Sequence, residues 1–419
     1  MESGKPRFAS CRFAVSRMGI GTFGWLILGT AACSGQVRET VKPSIDPGRL
    51  PSPRGSLVSA AQFLDSAIAA GAAPGAVLGV SHRGQWYLYG TGRLGMDDGT
   101  IPDSASVYDL ASLTKVIGLT TAMMLAVDSG LIDLDAPIQK YVPAFRGRHK
   151  ESVTVRHLLA HASGLPAWRP LFRETATRAE AMMLADTTPL DTLPGARYVY
   201  SDLGAIVLTQ AVEQVFQMRL DTLLQQIFSR LDMPHTRFLP PASLLPRIAP
   251  TENDPWRGRM LRGEVHDENA ARLDGVSGHA GLFSTAPDLL RFAEWLMRSM
   301  PGCRGMNPRC RHSGPRDGMM LEDAVMQSFV RRQHMPPCCS SRALGWDTPS
   351  EGSSAGTMLD STSVGHTGFT GTSIWIDPTR ELVIVLLTNR VHPTRENNRL
   401  GAVRRGVADR VVQGLRDAP

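Results

Sequence analysis

A serine and a lysine three residues apart form the first pair that could carry out chemistry. Ser112-Leu113-Thr114-Lys115 opens a predicted helix, and the i, i+3 spacing places the hydroxyl and the amine on one helical face. A serine hydroxyl becomes a strong nucleophile when an adjacent base takes its proton, and an amine can be that base only while it is neutral. Asp109 is the predicted N-cap, and the N–H groups of a helix N-terminus can stabilise a developing oxyanion. The pattern therefore predicts attack of Ser112 on an amide or ester carbonyl.

The amino-acid composition strengthens this motif, which is weak by itself because many surface helices contain the same pair. The sequence has only five lysines against forty arginines, and Lys115 is the only lysine with a serine three positions before it. Arginine can replace lysine wherever a permanent cation suffices, but not where an amine must gain and lose a proton. The retained lysine favours a titrating role.

The elements that must position this pair follow from the hydrophobic pattern. Two apolar runs around Arg83-Gly84 predict a β-hairpin, and a second strand, turn and strand unit is predicted over 374–387. The middle of the chain, from about 109 to 273, is mainly helical by pattern. The clearest predicted helices are Val116–Val127, Leu203–Val215 and Leu220–Leu231. We therefore expect an α+β fold: an antiparallel sheet built from both ends of the chain and flanked by helices, with a mainly helical subdomain inserted.

The domain boundaries follow from composition. Residues 34–56 contain four prolines and few large apolar side chains, which is typical of a flexible linker. Residues 57–419 are predicted to form one catalytic domain. Within it, 57–108 and 274–419 are assigned to a sheet subdomain and 109–273 to a helical subdomain.

The first 33 residues predict export. Four basic residues precede an apolar stretch, Met18–Ala32, which is shorter than the roughly 20 residues that span a bilayer. The stretch ends at Cys33, and Leu28–Cys33 resembles the bacterial lipoprotein box except at Thr30, where an aliphatic residue is usual. Three alternatives stay open: lipidation of Cys33, cleavage nearby without lipid, and an incidental cysteine. We expect an exported protein that is periplasmic or anchored to the membrane by lipid.

Charge and cysteine content limit the partners. The formal net charge is +6, of which residues 1–32 contribute half, so a nucleic-acid partner is not expected. Residues 301–318, rich in Pro, Gly and Arg, are predicted to be a surface insertion. For the four cysteines near it we expect disulfides or free thiols, because the vicinal pair is poor geometry for tetrahedral zinc. They are Cys303, Cys310, Cys338 and Cys339.

Several segments carry a resemblance to a known family. In chain order they are Tyr108–Lys115, Gly130–Ile138, His157–Leu165, Tyr200–Asp202, Gly281–Ala286 and His366–Gly368. This set resembles the class C β-lactamase-related serine hydrolases, and the likeness runs from about Ala60 to Asn389. The family comprises penicillin-binding carboxypeptidases, β-lactamases, esterases and D-amino-acid peptidases. The resemblance implies a serine β-lactamase or DD-peptidase-like fold and cleavage through an acyl-enzyme, with no cofactor.

The resemblance also implies residue roles. Ser112 matches the acylated nucleophile, Lys115 its partner, and Tyr200 the tyrosine that relays protons to the leaving group and activates water. The implied substrate-binding residues are Asp202, His366, Thr367, Gly368 and Phe369. The backbone N–H groups of Ser112 and Phe369 are the implied oxyanion hole.

Two departures from the family pattern affect the chemistry. His366 stands where lysine is common, and a partial charge near neutral pH predicts that its attraction for a substrate carboxylate weakens as the pH rises. Asp202 stands where many relatives have asparagine, and an ionised carboxylate can only accept hydrogen bonds. It would therefore bind a substrate N–H or pair with Lys115. The second option favours a charged Lys115 and shifts the general-base role toward Tyr200.

The remaining histidines are assigned no catalytic role. His266-Asp267-Glu268-Asn269 and His279 are metal-capable but form no compact ligand motif, so we expect no metal and predict that they line the cleft or close a loop. His157 and His161 are predicted to pack a helix and a turn.

The predicted function is that of a DD-carboxypeptidase-like or β-lactamase-like enzyme. The expected partner is a small-molecule or peptidoglycan-derived substrate. The alternatives are a small-molecule carboxylesterase, and a penicillin-binding sensor or non-catalytic binding domain, because one scaffold hosts several chemistries.

Overall fold

Strands from both ends of the chain meet in one sheet in the computed structural model, which describes residues 55–300, 319–334 and 341–416. All of these residues belong to one compact unit, Asp46–Pro419. The strands are β1 Gly75–His82, β2 Gln85–Gly92, β3 Tyr108–Asp109, β4 Asn253–Asp254, β5 Arg259–Met260, β6 Phe283–Ser284, β7 Val364–Thr367, β8 Ser373–Asp377 and β9 Leu382–Thr388. The main sheet has the order β2-β1-β9-β8-β7, and every neighbouring pair is antiparallel.

Both predicted strand–turn–strand units are confirmed. His82 pairs with Gln85 across a two-residue loop in which Arg83 and Gly84 have φ of 52° and 78°. Positive φ at both positions is the type I′ geometry that matches the twist of a hairpin. The unit near the other end forms β8 and β9, and β9 pairs with β1 at the centre of the sheet. The predicted α+β architecture, with a sheet built from both ends, is therefore confirmed.

The helices follow the predicted pattern. They are α1 Val58–Ala69, α2 Thr121–Asp128, α3 Val155–Leu159, α4 Leu171–Glu174, α5 Arg178–Thr187, α6 Asp202–Phe216, α7 Leu220–Arg230, α8 Glu268–Arg272, α9 Ala286–Ser299, α10 Asp323–Val330 and α11 Leu400–Arg416. A π-helical segment, Lys115–Thr120, leads directly into α2. Short 3₁₀ helices cover Gly55–Leu57, Ile138–Lys140, Lys150–Ser152 and Ala242–Arg247.

The alternation of side chains along β9 explains why the sheet lies between two layers of helices. Val385 and Leu387 join the large core that includes the apolar face of α9. Ile384 and Leu386 join a second core formed with α1 and α11. Successive side chains of a strand point to opposite faces, so a run that is apolar throughout is buried on both sides. Each such side chain contributes about 1.5–3 kcal/mol on burial.

The nucleophile segment is fixed to the rest of the fold by a short strand pair. Tyr108 of β3 pairs with Ser284 of β6, and Leu110 N donates to Leu282 O at 2.9 Å. The residues just before Ser112 therefore have a fixed position beside 281–286. The division of 57–419 into a sheet and a helical subdomain stays a prediction.

Several predictions fall on other parts of the chain. The export signal (1–33), all but the last two residues of the linker (34–56), the insertion (301–318) and the six cysteines lie outside the described residues. Among the helices that the structure describes, none combines the length and the apolar character that crossing a bilayer requires.

Candidate active site

The turn before Ser112 determines the position of the serine at the start of the helix. Ala111 has a φ of 46°, a left-handed conformation that L-residues rarely adopt, and the helix begins with i to i+3 bonds, among them Lys115 N to Ser112 O at 3.0 Å. Side chains three apart eclipse in such a 3₁₀ turn, which brings the lysine over the serine. The predicted N-cap role of Asp109 is wrong. Its carboxylate accepts from Ala111 N at 2.8 Å and from His266 N at 2.7 Å, so it holds the preceding turn because the helix begins later.

The amine of Lys115 contacts three other residues of the site. Its Nζ donates to Ser112 Oγ at 2.9 Å and to His279 O at 3.0 Å, and it lies 2.6 Å from Asp202 Oδ1. Two of the three N–H donors of the ammonium thus bind oxygens of Ser112 and His279, and Asp202 supplies the opposite charge. The lysine side chain is buried, with 3% of its surface exposed. Of the two options for Asp202, the structure therefore has the pair with Lys115.

The electrostatics of this pair favour a charged lysine. Burial acts to lower the pKa of Lys115, but the negative charge of Asp202, together with interactions with Tyr200, outweighs it and holds the pKa above its ordinary value. At neutral pH the amine is therefore an ammonium, with no lone pair to accept the proton of Ser112. Its field stabilises negative charge on neighbouring oxygens.

Tyr200 lies against the same ammonium. Its ring centroid is 4.9 Å from Lys115 Nζ, and its Oη is buried without a hydrogen-bond partner among the described residues. The ring packs against that of His161, with centroids 4.6 Å apart and the planes tilted by 37°. His161 Nδ1 accepts from Ser201 N at 3.1 Å, so this histidine, predicted as a turn residue, also fixes the tyrosine. Burial chiefly, and the cations Arg342 and Lys115, lower the pKa of His161 well below its ordinary value.

The end of β7 forms the opposite wall. Gly368 lies where a Cβ would be 2.3 Å from Leu110 O, so only glycine allows this approach to the nucleophile turn. Phe369 is 49% exposed and lies between the His266 ring and the guanidinium of Arg390. Within the described residues, neither Ser112 N–H nor Phe369 N–H donates to a protein acceptor. Both N–H groups are thus free to bind an oxyanion.

The expected partial charge of His366 is not found. Burial, followed by the charges of Arg342 and Lys115, lowers its pKa well below the ordinary value, so the ring is neutral at neutral pH. Its Nδ1 lies 2.8 Å from Thr367 O, and because a carbonyl can only accept, this nitrogen carries the proton. Nε2 is left as a buried acceptor without a partner in the described part of the chain. A ring that stays neutral cannot change its attraction for a carboxylate near neutral pH, so the predicted weakening is not supported.

A cavity of about 360 Å³ opens on these groups. It brings Ser112, Tyr200, His366, Thr367, Gly368 and Phe369 together with Tyr198, Arg342, Asp347, Arg390 and Arg404. Asp202 is not among these lining residues and reaches the site through Lys115. The three arginines were not predicted from the sequence, because no motif marks them. They come from three separate segments: Arg342 precedes β7, Arg390 follows β9, and Arg404 lies in α11.

The metal-capable segment acts as a loop support. His279 Nε2 lies 2.9 Å from Asp267 Oδ1, and His266 Nε2 lies 2.8 Å from Glu252 Oε2. Asn269 accepts from Phe172 N at 3.1 Å. No group of three His, Cys, Asp or Glu side chains with metal-binding geometry occurs in the ranges that the structure describes. These residues fix the loop whose His279 carbonyl binds Lys115.

A serine in contact with a buried lysine, on the wall of an open cavity, is the arrangement of a serine hydrolase that forms an acyl-enzyme. A protein-family model described as Beta-lactamase matches residues 60–409. A protein of Salmonella schwarzengrund (strain CVM19633), named "Putative D-alanyl-D-alanine carboxypeptidase", is 30% identical over 319 residues, which are 68% of this chain and 70% of that protein. The chain belongs to the β-lactamase family.

Solved structures show the same fold. EstCE1, a hydrolase with promiscuous acyltransferase activity, is 19% identical with a TM-score of 0.67, over 85% of this chain and 98% of its own. A penicillin-binding protein homologue from Caulobacter crescentus is 17% identical with a TM-score of 0.67, over 87% and 98%. A class C β-lactamase from Rhodobacter sphaeroides is 22% identical with a TM-score of 0.63, over 85% and 99%. The predicted fold is confirmed.

Proposed function

We propose that this serine hydrolase is a DD-carboxypeptidase that removes the C-terminal residue from acyl-D-alanyl-D-alanine peptides. The observation that carries the proposal is the position of Ser112 Oγ, 2.9 Å from a buried Lys115 and on the wall of a cavity lined by the end of β7. The name of the Salmonella relative supports this substrate class. A peptide carbonyl beside Ser112 would place its oxygen toward the free N–H groups of Ser112 and Phe369.

Tyr200 is the proposed general base and acid. Because Lys115 is charged and donates to Ser112 Oγ, the phenol oxygen of Tyr200 is the group left to take the serine proton. The Ser112 Oγ–carbon bond forms and the peptide C–N bond breaks, while the phenol oxygen takes the serine proton and passes the phenol's own proton to the leaving nitrogen. Water then attacks the ester and the carbon–Oγ bond breaks, while the phenol oxygen takes a proton from the water and passes the phenol's own proton to Ser112 Oγ, which leaves as the free hydroxyl. During each transfer the ammonium of Lys115 stabilises the negative charge that develops on the phenol oxygen.

The test compares three substrates. Purified protein would be incubated with an N-acyl-D-alanyl-D-alanine peptide, a short-chain p-nitrophenyl ester and a fluorescent penicillin. We expect Ser112-dependent release of D-alanine, abolished in Ser112→Ala. The matched control is Ser129→Ala, because Ser129 is an exposed serine at the end of α2.

Each other outcome identifies an alternative. Hydrolysis of the ester alone would indicate a carboxylesterase, and turnover of the penicillin alone would indicate a β-lactamase. A stable penicilloyl adduct on Ser112 without turnover of any substrate would indicate a sensor, since acylation and deacylation need the same nucleophile and differ in rate.

We also propose that the protein is exported and carries lipid on Cys33, as a periplasmic or membrane-anchored enzyme. The support is the sequence pattern alone: basic residues, a short apolar stretch and a cysteine after small residues. Mass spectrometry of the mature N-terminus would show a lipid-modified Cys33 and its loss in Cys33→Ser. An unlipidated terminus near Cys33 would contradict lipidation, and an intact Met1 would contradict export.

A further inference from the structure

Two exposed tryptophans pack against the same phenylalanine. Trp168 and Trp256 are 48% and 38% exposed, whereas the other tryptophans that the structure describes are half-buried or buried. The ring centroid of Phe172, a buried residue, lies 6.4 Å from that of Trp168 and 4.8 Å from that of Trp256. Single exposed aromatic side chains are common, but a cluster of them marks an interaction surface. We call this cluster the aromatic platform; it consists of Trp168, Phe172 and Trp256.

Polar contacts fix the backbone of the platform. Phe172 N donates to Asn269 Oδ1 at 3.1 Å, and Asn269 Nδ2 donates to Arg169 O at 2.8 Å. Arg272 donates to Phe172 O at 3.1 Å, and its guanidinium carbon lies 5.9 Å from the ring centroid of Trp256. Because the rings are held before a ligand arrives, binding loses little conformational entropy.

The Trp168 end of the platform adjoins the catalytic groups. Trp168 follows Ala167, whose carbonyl accepts from Asp202 N at 2.9 Å. Asp202 in turn forms the ion pair with Lys115. One hydrogen bond and one ion pair therefore separate the backbone beside Trp168 from the amine that contacts the nucleophile.

The Trp256 end adjoins the wall of the active-site cavity. Arg257, the next residue after Trp256, donates to His266 O at 2.7 Å. The His266 ring stacks on Phe369 with centroids 5.7 Å apart, and Phe369 lines the cavity. The platform is thus connected to the active site at both ends, so a ligand that occupies the cavity can extend onto the platform.

Hydrogen-bond donors surround the exposed rings. Within the described part of the chain, the indole N–H groups of Trp168 and Trp256 have no protein acceptor. Arg173 is exposed, and its guanidinium carbon lies 5.2 Å from the Phe172 centroid. A tryptophan ring can stack on the apolar C–H face of a sugar, while N–H donors beside it bind hydroxyl and acetamido oxygens. A purely apolar partner would leave these donors without acceptors.

We propose that the aromatic platform binds the glycan to which the peptides of peptidoglycan are attached, with sugar rings stacked on Trp168 and Trp256. The proposal rests on the proposed function, which places the D-alanyl-D-alanine end of the same substrate at Ser112. A few extended residues, each roughly 3.3–3.6 Å long, connect the two sites. The enzyme therefore prefers peptides that are attached to glycan over free peptides.

Calorimetry in a Ser112→Ala background tests this assignment without turnover. It would compare a pentapeptide that ends in D-alanyl-D-alanine with the same pentapeptide attached to the disaccharide N-acetylglucosaminyl-N-acetylmuramic acid. We expect the disaccharide pentapeptide to bind more tightly. Trp168→Ala and Trp256→Ala should each weaken its binding about 5- to 30-fold, because each removes one stacked ring, and that of the free pentapeptide less than about 2-fold.

Two further variants are the controls. Met183→Ala removes another exposed apolar side chain, in α5, and should leave both affinities unchanged. Trp168→Phe keeps an aromatic ring but loses the indole N–H, so it should retain part of the preference for the disaccharide pentapeptide. Unchanged binding of the free pentapeptide shows that the cavity is intact, so misfolding cannot imitate the expected result.

The outcomes separate the two proposals. Equal affinity for the two ligands, or an equal loss of both in the tryptophan variants, would overturn the glycan site. Binding to anionic phospholipid vesicles that depends on the tryptophans, without a preference for the disaccharide, would also overturn it and assign the platform to a membrane surface. If the preference for the disaccharide depends on the tryptophans but the active protein releases no D-alanine, the glycan site stands and the proposed carboxypeptidase activity fails.

Discussion

Replacement of Asp202 by asparagine separates two mechanisms that differ in which residue takes the proton of Ser112. The substitution keeps the shape of the side chain and an acceptor oxygen but removes the charge 2.6 Å from Lys115 Nζ. At an effective dielectric constant of about 20, and reduced for the partly exposed carboxylate, this charge is worth about 2–4 kcal/mol to the ammonium. Burial, which acts to lower the pKa of Lys115, remains. The acid dissociation constant of Lys115 therefore changes by about 30- to 1,000-fold.

The pH dependence of kcat/KM for the peptide substrate shows which form of Lys115 is active. In the wild-type protein the raised pKa keeps Lys115 charged up to alkaline pH. In Asp202→Asn the pKa falls, so the amine loses its proton at a lower pH than in the wild-type protein. If Tyr200 is the base and Lys115 must be charged, kcat/KM of the variant decreases as the pH rises through the new pKa.

The opposite slope would refute this mechanism. If neutral Lys115 were the base, kcat/KM of Asp202→Asn would increase with pH and exceed that of the wild type in alkaline buffer. Asp202→Glu is the matched control because it keeps the charge, and its profile should follow that of the wild type. Asparagine keeps the size of the side chain and an acceptor oxygen, so the variant is expected to fold.

Three further predictions follow from the site and its supports. Tyr200→Phe should reduce kcat at least as much as Lys115→Ala; a fully active Tyr200→Phe would contradict the proposed base. Gly368→Ala should lower kcat about 10²- to 10³-fold, because its Cβ would displace Leu110 O, 2.3 Å away; unchanged kinetics with unchanged circular dichroism would contradict this. Burial acts to raise the pKa of Glu252, but hydrogen bonds from His266 and Arg395 outweigh it and lower the pKa to about 2. The free energy of unfolding, measured by denaturant titration, should therefore fall by about 1–2 kcal/mol as the pH decreases from 4.5 to 2. The ionised carboxylate stabilises the fold above its unfolded pKa, and this stabilisation is lost as the pH falls. Glu252→Gln should therefore make the free energy of unfolding less dependent on pH in this range. An equally steep decrease in the variant would contradict the assignment.

The sequence predicted the parts of the site that are encoded locally. Ser112 and Lys115 lie within one helical turn, so their spacing alone brings them together. Tyr200 and the end of β7 were found because each belongs to a short family motif. Arg342 belongs to no such motif. Its segment lies at the cavity because Asp347 forms a β-bridge with Gly365 of β7, a long-range pairing that no local pattern predicts.

Burial explains the prediction that failed. The charge of His366 was inferred from the ordinary pKa of histidine, but only 3% of the residue is exposed, and three cations act on it. Both facts depend on how β7, the helix of Lys115 and the segment of Arg342 pack together. A pKa is therefore a tertiary property, whereas the residue type at a motif position is a sequence property.

Lys115 lies beside Ser112 as predicted, but the reason given for its retention was incomplete. The scarcity of lysine suggested a titrating amine, yet the charge of Asp202 holds this amine in its protonated form. What arginine cannot supply here is shape: three N–H donors on one nitrogen converge on Ser112 Oγ, the His279 carbonyl and Asp202 within hydrogen-bond distance. A guanidinium spreads its donors over a plane and would separate these oxygens. The position therefore requires a compact cation that orients the nucleophile while Tyr200 moves the proton.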